Sequence, residues 1–376
     1  MKIAVVAHIR HAIAQPYRGG MEAHCDMLCA GLRAAGHEVT LFAANGSTDE
    51  GAVAICDAPY DEVLPWAIYR GSRELADFQR TAFERVLLTI GAGDFDVVHN
   101  NSLFPEIIGW CAQAGQPCVT SQHVPPFGAM YDAVEAACHL PHARFTVTSS
   151  DQRDIWSKRG CDRLDVVHNG IDISAWVPVD RGKDAEPYLT WVGRITPNKG
   201  LAEAVRAARI AGLPMRIFGP VEDAVYFSEK VEPFLADRIE YRGHRSLDFL
   251  RAEVAGAAAA VVTPLWEEPF GLVAAEALAC GTPVAAFDSG AIREVVGPSG
   301  ILARPGDVAG LARAMTDVIS FDRAACRRRA VEHLSTEAMI AGYEAIYEAA
   351  VAGSRAASLP RLCWSSNHSS TTALLA

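Results

Sequence analysis

The sequence predicts an α/β fold with two doubly wound parallel sheets, one in each of two domains. Short β-branched runs alternate with longer stretches of helical periodicity, as in chains that build parallel sheets. The alternation stops over residues 178–187, where Pro, Asp, Arg, Gly and Lys replace apolar residues, and then starts again. The length of 376 residues also suits two domains, at roughly 150 residues each. We therefore expect a first domain over residues 1–178 and a second over residues 179–335.

The first domain opens with a buried strand, because residues 3–7 form an uninterrupted apolar run that is too short for a signal peptide. A helix follows over residues 22–35, and Gly36 supplies the residue that commonly ends a helix. The strands predicted for this domain are 3–7, 38–43, 96–99, 117–121, 144–148 and 165–168, and its helices include 22–35, 72–89 and 151–159.

The second domain repeats the pattern after the linker. Its predicted strands are 188–192, 215–218, 238–241, 259–263, 283–287 and 300–302, and its helices include 201–211, 246–255 and 272–279. Residues 336–352 have the spacing of a last helix. Residues 353–376 are low in complexity and predict a disordered tail. Ligands of doubly wound sheets bind at the carboxyl ends of the strands, so the cleft between the domains is the predicted site.

Charge and composition exclude several classes of function. Lys and Arg number 34 against 45 Asp and Glu, and the net charge of −11 disfavours broad binding to nucleic acid. The ten cysteines form neither a Cys-x-x-Cys pair nor a cluster at zinc spacing. We therefore expect no metal site, free thiols and a cytoplasmic location, with attachment to the inner face of the membrane left open. No apolar run reaches about 18 residues, so no segment is predicted to span a membrane.

The first motif, Pro-Tyr-Arg-Gly-Gly-Met-Glu, occupies residues 16–22 between a strand and a helix. Gly19 and Gly20 allow a sharp turn and a close approach to a ligand, and the N-terminus of the following helix favours an anion. A glycine-rich loop that only caps the helix is the alternative. The motif is neither Gly-x-Gly-x-x-Gly nor a Walker A sequence, which argues against a nicotinamide oxidoreductase.

The second motif, Gly-Arg-Ile-Thr-Pro-Asn-Lys-Gly, starts at Gly193 and lies between a strand and a helix. Arg194 and Lys199 flank a turn that leads into the helix N-terminus, where cations are unfavourable unless an anion lies between them. A bound phosphate or diphosphate explains this arrangement. Two solvated surface cations are the alternative.

The third motif runs over residues 267–283, with Glu268 in a loop and Glu276 on the second turn of the next helix. Each carboxylate can accept hydrogen bonds from the paired hydroxyls of a sugar. The open N–H groups near Phe270, Gly271 and Leu272 are expected to face the anion of the second motif. Alternatively, Glu268 is a surface residue and Glu276 a buried structural acid.

Together these strings resemble the retaining glycosyltransferases of family 4, which have the GT-B fold of two Rossmann-like domains facing across a cleft. The similarity covers about residues 1–352 and is most specific in the second half. The residues on which the similarity rests are Arg194 with Lys199, the Glu268/Glu276 pair, the 269–272 and 276–284 strings and the His-Asn-Gly-Ile-Asp turn at 168–172. In that fold the final helix, here 336–352, packs back on the first domain.

The resemblance implies roles for individual residues. Gly19, Gly20 and Gly193 would approach the donor diphosphate, and Arg194 and Lys199 would neutralise it as it leaves, without a metal ion or other cofactor. Glu268 would hold sugar hydroxyls, helped by the backbone N–H groups of residues 270–272.

Three further roles follow from the resemblance. Glu276 would bind the nucleotide ribose, and His244 would lie near the base. His123, just past a strand end, would hydrogen-bond the transferring sugar or orient the acceptor hydroxyl. Ser289 stands where the family usually has a glycine, and His244 with Arg245 departs from the usual sequence near the base.

The resemblance thus implies an enzyme that moves a hexose from a nucleotide sugar to an acceptor hydroxyl. A UDP-sugar is favoured by its frequency in the family. The acceptor, whether a glycan, a lipid-linked molecule or a small molecule, stays open, as does the oligomeric state. The alternatives are a nucleotide-sugar epimerase, a phosphorylase, and a GT-B protein that binds sugar nucleotides without catalysis.

Overall fold

The computed structural model describes residues 1–180, 182, 186–235 and 238–357, and its strands form two sheets that are parallel throughout. The first sheet contains β1 (Lys2–Ala7), β2 (Glu38–Ala44), β3 (Ala52–Cys56), β4 (Val97–Asn101), β5 (Cys118–Gln122), β6 (Ala143–Val147) and β7 (Leu164–Val166). The second contains β8 (Leu189–Val192), β9 (Met215–Phe218), β10 (Ile239–Tyr241), β11 (Ala259–Val262), β12 (Val284–Phe287) and β13 (Gly300–Ala303).

Helices connect the strands and cover both faces of each sheet. Those that accompany the first sheet are α1 (Gly20–Ala34), α2 (Tyr60–Val63), α3 (Trp66–Tyr69), α4 (Arg73–Ala92), α5 (Glu106–Ala114), α6 (Gly128–Ala137) and α7 (Ser150–Trp156). The later helices are α8 (Leu201–Ala211), α9 (Ala224–Tyr226), α10 (Leu247–Gly256), α11 (Leu272–Ala279), α12 (Ile292–Val296), α13 (Val308–Val318), α14 (Arg323–His333) and α15 (Thr336–Ala357).

In each sheet, the strand that comes first in the chain lies in the interior of the sheet and not at an edge. The strand orders are β3-β2-β1-β4-β5-β6-β7 and β10-β9-β8-β11-β12-β13, so the chain winds from the central strand to one edge and then to the other. The winding reverses between β1 and β4 in the first sheet and between β8 and β11 in the second. Loops separate at such a reversal, and the resulting crevice at the carboxyl ends is where doubly wound sheets bind ligands.

The structure corrects several predicted elements. The first sheet has seven strands rather than six, because β3 was not predicted. It lies at the sheet edge and is rich in alanine, which has low strand propensity. Helix α15 continues to residue 357, so residues 353–357 are helical and not part of a tail. The rest of the predicted tail, 358–376, and four residues of the predicted linker, 181 and 183–185, lie outside the described residues.

Helix α15 packs beside α1 on the first sheet, although it follows the second sheet in the chain. Tyr343 and Tyr347 lie fully inside this core. The chain crosses between the two sheets twice, and these two connecting segments lie side by side. The N–H of Ile171 donates to the carbonyl oxygen of Leu334 at 2.7 Å, and the N–H of Thr336 donates to the carbonyl oxygen of Ile171 at 3.1 Å.

Candidate active site at the carboxyl ends of both sheets

The three sequence motifs leave the carboxyl ends of central strands and meet across the cleft. A Cβ atom on Gly20 would lie 2.8 Å from Cδ1 of Leu272, so the glycine loop of the first domain approaches the third motif of the second. The hydroxyls of Thr148 and Ser149 donate to the carbonyl oxygen of Pro269 at 2.7 and 3.0 Å. Through these contacts, the loops at the carboxyl ends of both sheets meet at the predicted site.

Both cations of the second motif are paired with carboxylates. Nη1 of Arg194 lies 2.9 Å from Oε2 of Glu222, a residue that the sequence analysis did not identify. Nζ of Lys199 lies 2.6 Å from Oε2 of Glu268. The structure therefore joins Lys199 and Glu268, two residues predicted for the site, and gives each cation an anionic partner from the protein.

Glu268 is held by more than the lysine. The indole Nε1 of Trp266 donates to the same Oε2 at 2.8 Å, and Lys199 Nζ lies 5.2 Å from the centroid of the Trp266 ring. Oε1 of Glu268 makes no hydrogen bond with the part of the chain that the structure describes. One carboxylate oxygen is thus fixed by the protein, and the other keeps its capacity to accept hydrogen bonds.

The loop at residues 289–291 forms hydrogen bonds with the backbone on both sides of residue 267. The hydroxyl of Ser289 donates to the carbonyl oxygen of Trp266 at 2.6 Å, and the N–H of Ala291 donates to that of Glu268 at 2.9 Å. Gly290 has a φ of +56°, and a Cβ there would lie 2.3 Å from the carbonyl oxygen of Glu268. Ser289 therefore keeps the loop closed where the family usually has a glycine, while Gly290 must remain a glycine.

The N-terminus of α11 points free donors into the same region. Gly271 caps the helix with a φ of +91°, and the buried ring of Phe270 anchors the loop in the core. Among the described residues, no hydrogen bond involves the N–H groups of Phe270, Gly271 or Leu272. Unpaired N–H groups at a helix N-terminus suit an anion or a sugar hydroxyl.

Glu276 lies on the second turn of α11 and is only partly exposed. Its carboxylate has no hydrogen bond or ion pair with the residues described here, and burial raises the pKa of Glu276 to about 7 despite the opposing charge of Arg251. A carboxylate without partners in such a place can take a pair of hydroxyls.

His123 lies on the side of the first sheet, at the end of β5. Its Nε2 lies 2.9 Å from Oδ1 of Asn101, and its ring centroid is 4.3 Å from that of His24. Burial, helped by the charge of His8, lowers the pKa of His123 to about 4. The ring is therefore neutral at physiological pH.

Two residues that follow β1, His8 in the loop and Glu22 in the first turn of α1, were given no role from the sequence. The buried Glu22 accepts from His8, with 3.3 Å between Oε1 and Nε2. Burial would raise the pKa of Glu22, but the hydrogen bond and charge of His8 lower it to about 2. Burial, with the charge of Arg18, lowers the pKa of His244.

The predicted residues thus form two groups. Lys199, Glu268 and residues 270–272 lie together around the second and third motifs, and Gly20 joins them through Leu272, while Arg194 of the second motif pairs with Glu222. His123 has its contacts with Asn101 and His24 on the first sheet. Trp266, Glu222 and Asn101 were missed, because side chains that hold other side chains carry no motif of their own.

Two general observations concern metals and membranes. Across the described part of the chain, no three His, Cys, Asp or Glu side chains are grouped as they would be around a metal ion. Of the helices described, none has both the length and the apolar character required to cross a bilayer.

Comparison with known proteins gives matches along nearly the whole chain. Residues 18–175 match the family described as Glycosyltransferase Family 4, and residues 186–320 match Glycosyl transferases group 1. The D-inositol 3-phosphate glycosyltransferase of Mycolicibacterium vanbaalenii is 30% identical, over 91% of this chain and 89% of the relative. That of Mycobacterium avium is also 30% identical, over 91% of this chain and 93% of the relative.

Solved structures share the fold. AviGT4, a glycosyltransferase of avilamycin A biosynthesis, superimposes with a TM-score of 0.70 at 24% identity, covering 94% of this chain and 98% of that one. HepE of Anabaena, solved with UDP and glucose, gives a TM-score of 0.69 at 18% identity, covering 93% and 99%. These similarities confirm the predicted GT-B fold.

Proposed function

Because this chain belongs to glycosyltransferase family 4, we propose that it moves a hexose from a UDP-sugar to an acceptor hydroxyl, with retention at the anomeric carbon and without a metal ion. That it is a glycosyltransferase follows from its relatives. The observation that supports the finer proposal is the pair of cations at one helix N-terminus, each held by a carboxylate. We also propose residues 1–178 as the acceptor domain and 179–335 as the donor domain.

We assign the donor diphosphate to Arg194 and Lys199. Both side chains are partly exposed, so an incoming diphosphate can reach the two cations beside their present carboxylate partners. Gly19, Gly20 and Gly193 allow the backbone to approach the phosphates closely. Two fixed positive charges stabilise the leaving diphosphate as negative charge develops on it, which is the role that a divalent cation has in other transferases.

The sugar and the ribose are assigned to the two carboxylates of the third motif. Glu268 has Oε2 fixed by Lys199 and Trp266, and its Oε1 is free to accept from sugar hydroxyls. The open N–H groups of residues 270–272 lie on the same loop and can donate to the sugar. Glu276 would accept hydrogen bonds from the ribose, and His244 would lie beside the base.

The proposed reaction proceeds on one face of the sugar. The bond from the anomeric carbon to the diphosphate oxygen breaks, and the bond to the acceptor oxygen forms on the same side. The leaving diphosphate oxygen takes the proton of the acceptor hydroxyl, so no separate base is required. His123 would accept a hydrogen bond within this assembly and not take the proton, because a pKa of about 4 makes its ring a weak base.

The acceptor is proposed as a polyhydroxylated molecule. The relatives from Mycolicibacterium and Mycobacterium are named for D-inositol 3-phosphate, which makes that compound the first acceptor to test. We further propose a cytoplasmic location. The support for this location is that the nine described cysteines are all free thiols, as in reducing compartments.

Calorimetric binding of nucleotides tests the proposal. UDP, GDP and ADP are titrated first, followed by their glucose, N-acetylglucosamine and mannose conjugates, each with and without EDTA. We expect UDP to bind equally well in EDTA, Arg194→Ala to lose UDP, and Glu268→Ala to lose only the affinity that the sugar adds. Arg313→Ala, a change at an exposed residue of α13, is the matched control and should leave all affinities unchanged.

Two results would contradict the proposal. Binding that requires a divalent cation would remove the metal-independent mechanism. Nucleotide binding that neither substitution changes would contradict the assigned site.

Two further outcomes would favour the alternative functions. Conversion of the UDP-sugar without any acceptor would favour an epimerase. Binding without conversion in the presence of a broad set of hydroxyl acceptors would favour a non-catalytic protein.

A further inference from the structure

Strand β4 ends in polar residues that its position in the sheet keeps buried. The sequence predicts a strand that ends at residue 99. The structure instead continues the strand through Asn100 and Asn101, and both are buried. Asn101 pairs in register with Ala7 of β1, so it stands at the reversal point of the first sheet, where ligands of this architecture bind.

The amide of Asn101 contacts the ring of His123. Oδ1 of Asn101 lies 2.9 Å from Nε2 of His123, and neither side chain is exposed. An amide oxygen can only accept a hydrogen bond, so Nε2 of the ring carries the proton. In a neutral imidazole the other nitrogen, Nδ1, is then a hydrogen-bond acceptor.

The surroundings of His123 keep the ring neutral. The groups near it are the imidazoles of His8, His24 and His99 and, beyond His24, the phenol of Tyr343. The carboxylate of Glu22, in the first turn of α1, is paired with His8. Burial, together with His8, lowers the pKa of His123 to about 4, so no charge on the ring competes with the tautomer that Asn101 selects.

We propose that Asn101 is a positioning residue that fixes His123 as its Nε2–H tautomer, so that Nδ1 accepts a hydrogen bond from a hydroxyl of the transferring sugar. This inference rests on the proposed function. It has a specific chemical consequence, because an accepting Nδ1 selects a hydroxyl and repels a phosphate oxygen. His123 is thereby assigned to the sugar, and the diphosphate is left to Arg194 and Lys199.

The substitution Asn101→Asp tests the proposal with little change in size. A carboxylate next to Nε2 favours the protonated ring, in which Nδ1 becomes a donor and can no longer accept. We expect the pH profile of sugar transfer to gain an acid limb above pH 6, with roughly a tenfold lower rate than the unchanged protein at pH 6 and a much smaller difference at pH 9. The pH limit of the unchanged protein should lie near the pKa of about 4.

Asn100→Asp is the matched control. Oδ1 of Asn100 already accepts from the N–H of Ser102 at 3.0 Å and from its hydroxyl, so an aspartate keeps both contacts while adding the same charge one residue away. We expect its pH profile to follow that of the unchanged protein. Superimposable profiles for the two aspartate variants would overturn the proposal.

A second measurement does not depend on activity or on the folding of a variant. The ring ¹⁵N shifts of the unchanged protein, labelled at histidine and assigned with His123→Gln, report directly which ring nitrogen carries the proton. A proton on Nε2 supports the proposal, and a proton on Nδ1 overturns it even if transfer is normal. Failure of the proposed function would be evident separately, as an unchanged protein that binds no nucleotide sugar.

Discussion

Nζ of Lys199 and Oε2 of Glu268 lie 2.6 Å apart, on loops that leave the paired strands β8 and β11. The lysine comes from the motif assigned to the diphosphate, and the glutamate from the motif assigned to the sugar. A single ion pair therefore connects the two parts of the proposed donor site. Binding of the diphosphate to Lys199 changes the charge that Glu268 experiences, and so the two subsites are electrostatically coupled.

Glu268→Gln tests this coupling. The amide keeps the shape of the side chain but removes the negative charge, so Lys199 is left with the full attraction for a diphosphate. We expect the affinity for UDP to be maintained or to rise slightly, while the rate of sugar transfer falls about a hundredfold, an effect typical of losing one fixed polar group at a reacting centre. Calorimetry with UDP and a transfer assay at saturating donor give the two values. A parallel loss of UDP binding would contradict the assignment.

Glu222→Gln should release Arg194 for the diphosphate. About a third of each side chain is exposed, 35% for Arg194 and 33% for Glu222, so water screens their pairing and the free energy involved is below about 1 kcal/mol. We expect UDP to bind up to about fivefold more tightly at low salt, with the gain disappearing at high salt. Glu229→Gln, at an exposed carboxylate nearby in the chain, is the control and should have no effect.

Trp266→Phe should separate the hydrogen bond of the indole from the bulk of the ring. The phenylalanine keeps an aromatic surface near Lys199 but cannot donate to Glu268. Hydrogen bonds to charged groups are worth roughly 1.5–3 kcal/mol, and the partial exposure of this one reduces its value. We expect about a tenfold fall in the transfer rate with an unchanged affinity for UDP. An equal loss of UDP affinity would show that the tryptophan acts on the whole site.

Glu276 predicts a pH dependence of stability. Burial raises the pKa of Glu276 to about 7, well above its unfolded value, so the carboxyl group is protonated in the folded protein between these two pH values and ionised in the unfolded chain. This group therefore destabilises the fold increasingly as the pH rises from about 4.5 to 7. Glu276→Gln should raise the free energy of unfolding by about 1 kcal/mol at pH 8 and leave it unchanged at pH 4. Denaturant titrations at both pH values measure the difference.

The same pKa gives a test of the ribose assignment. Ribose hydroxyls donate to the ionised form of Glu276, so binding of UDP should release a proton near pH 7. Calorimetry in two buffers with different ionisation enthalpies detects this release. The Glu276→Gln variant should bind UDP more weakly and without a buffer-dependent enthalpy.

The alternation of strands and helices was sufficient to predict the α/β class and every strand of the second sheet. These strands are short apolar runs, and helices or loops that contain polar residues separate them, so each is clearly bounded in the sequence. The edge strand β3 was missed, because Ala52 and Ala54 have weak strand propensity and the strand pairs only with β2. The end of β4 was placed too early, since the tertiary structure buries Asn100 and Asn101 against their local preference.

The site was predictable where a backbone turn and a charge occur together in one string, as at Arg194, Lys199 and Glu268. It was not predictable where a side chain acts by holding another. Trp266 is two residues from Glu268 but has no feature that distinguishes it from a core tryptophan. Glu222 and Asn101 contact their partners across 28 and 22 residues of the chain, and only the fold brings such pairs together.

The position of helix α15 limits how proteins of this fold can exchange domains by recombination. It is encoded after the second sheet but completes the core over β1, where Tyr343 and Tyr347 are fully enclosed. A gene fragment that ends near residue 178 would therefore produce a first half with an open apolar face. Recombination that gives the second domain a new first domain needs two crossovers, one between the halves and one near residue 335. A chimera with a single crossover between the halves would combine the first sheet of one protein with the last helix of another, and that helix would not match the surface it has to cover.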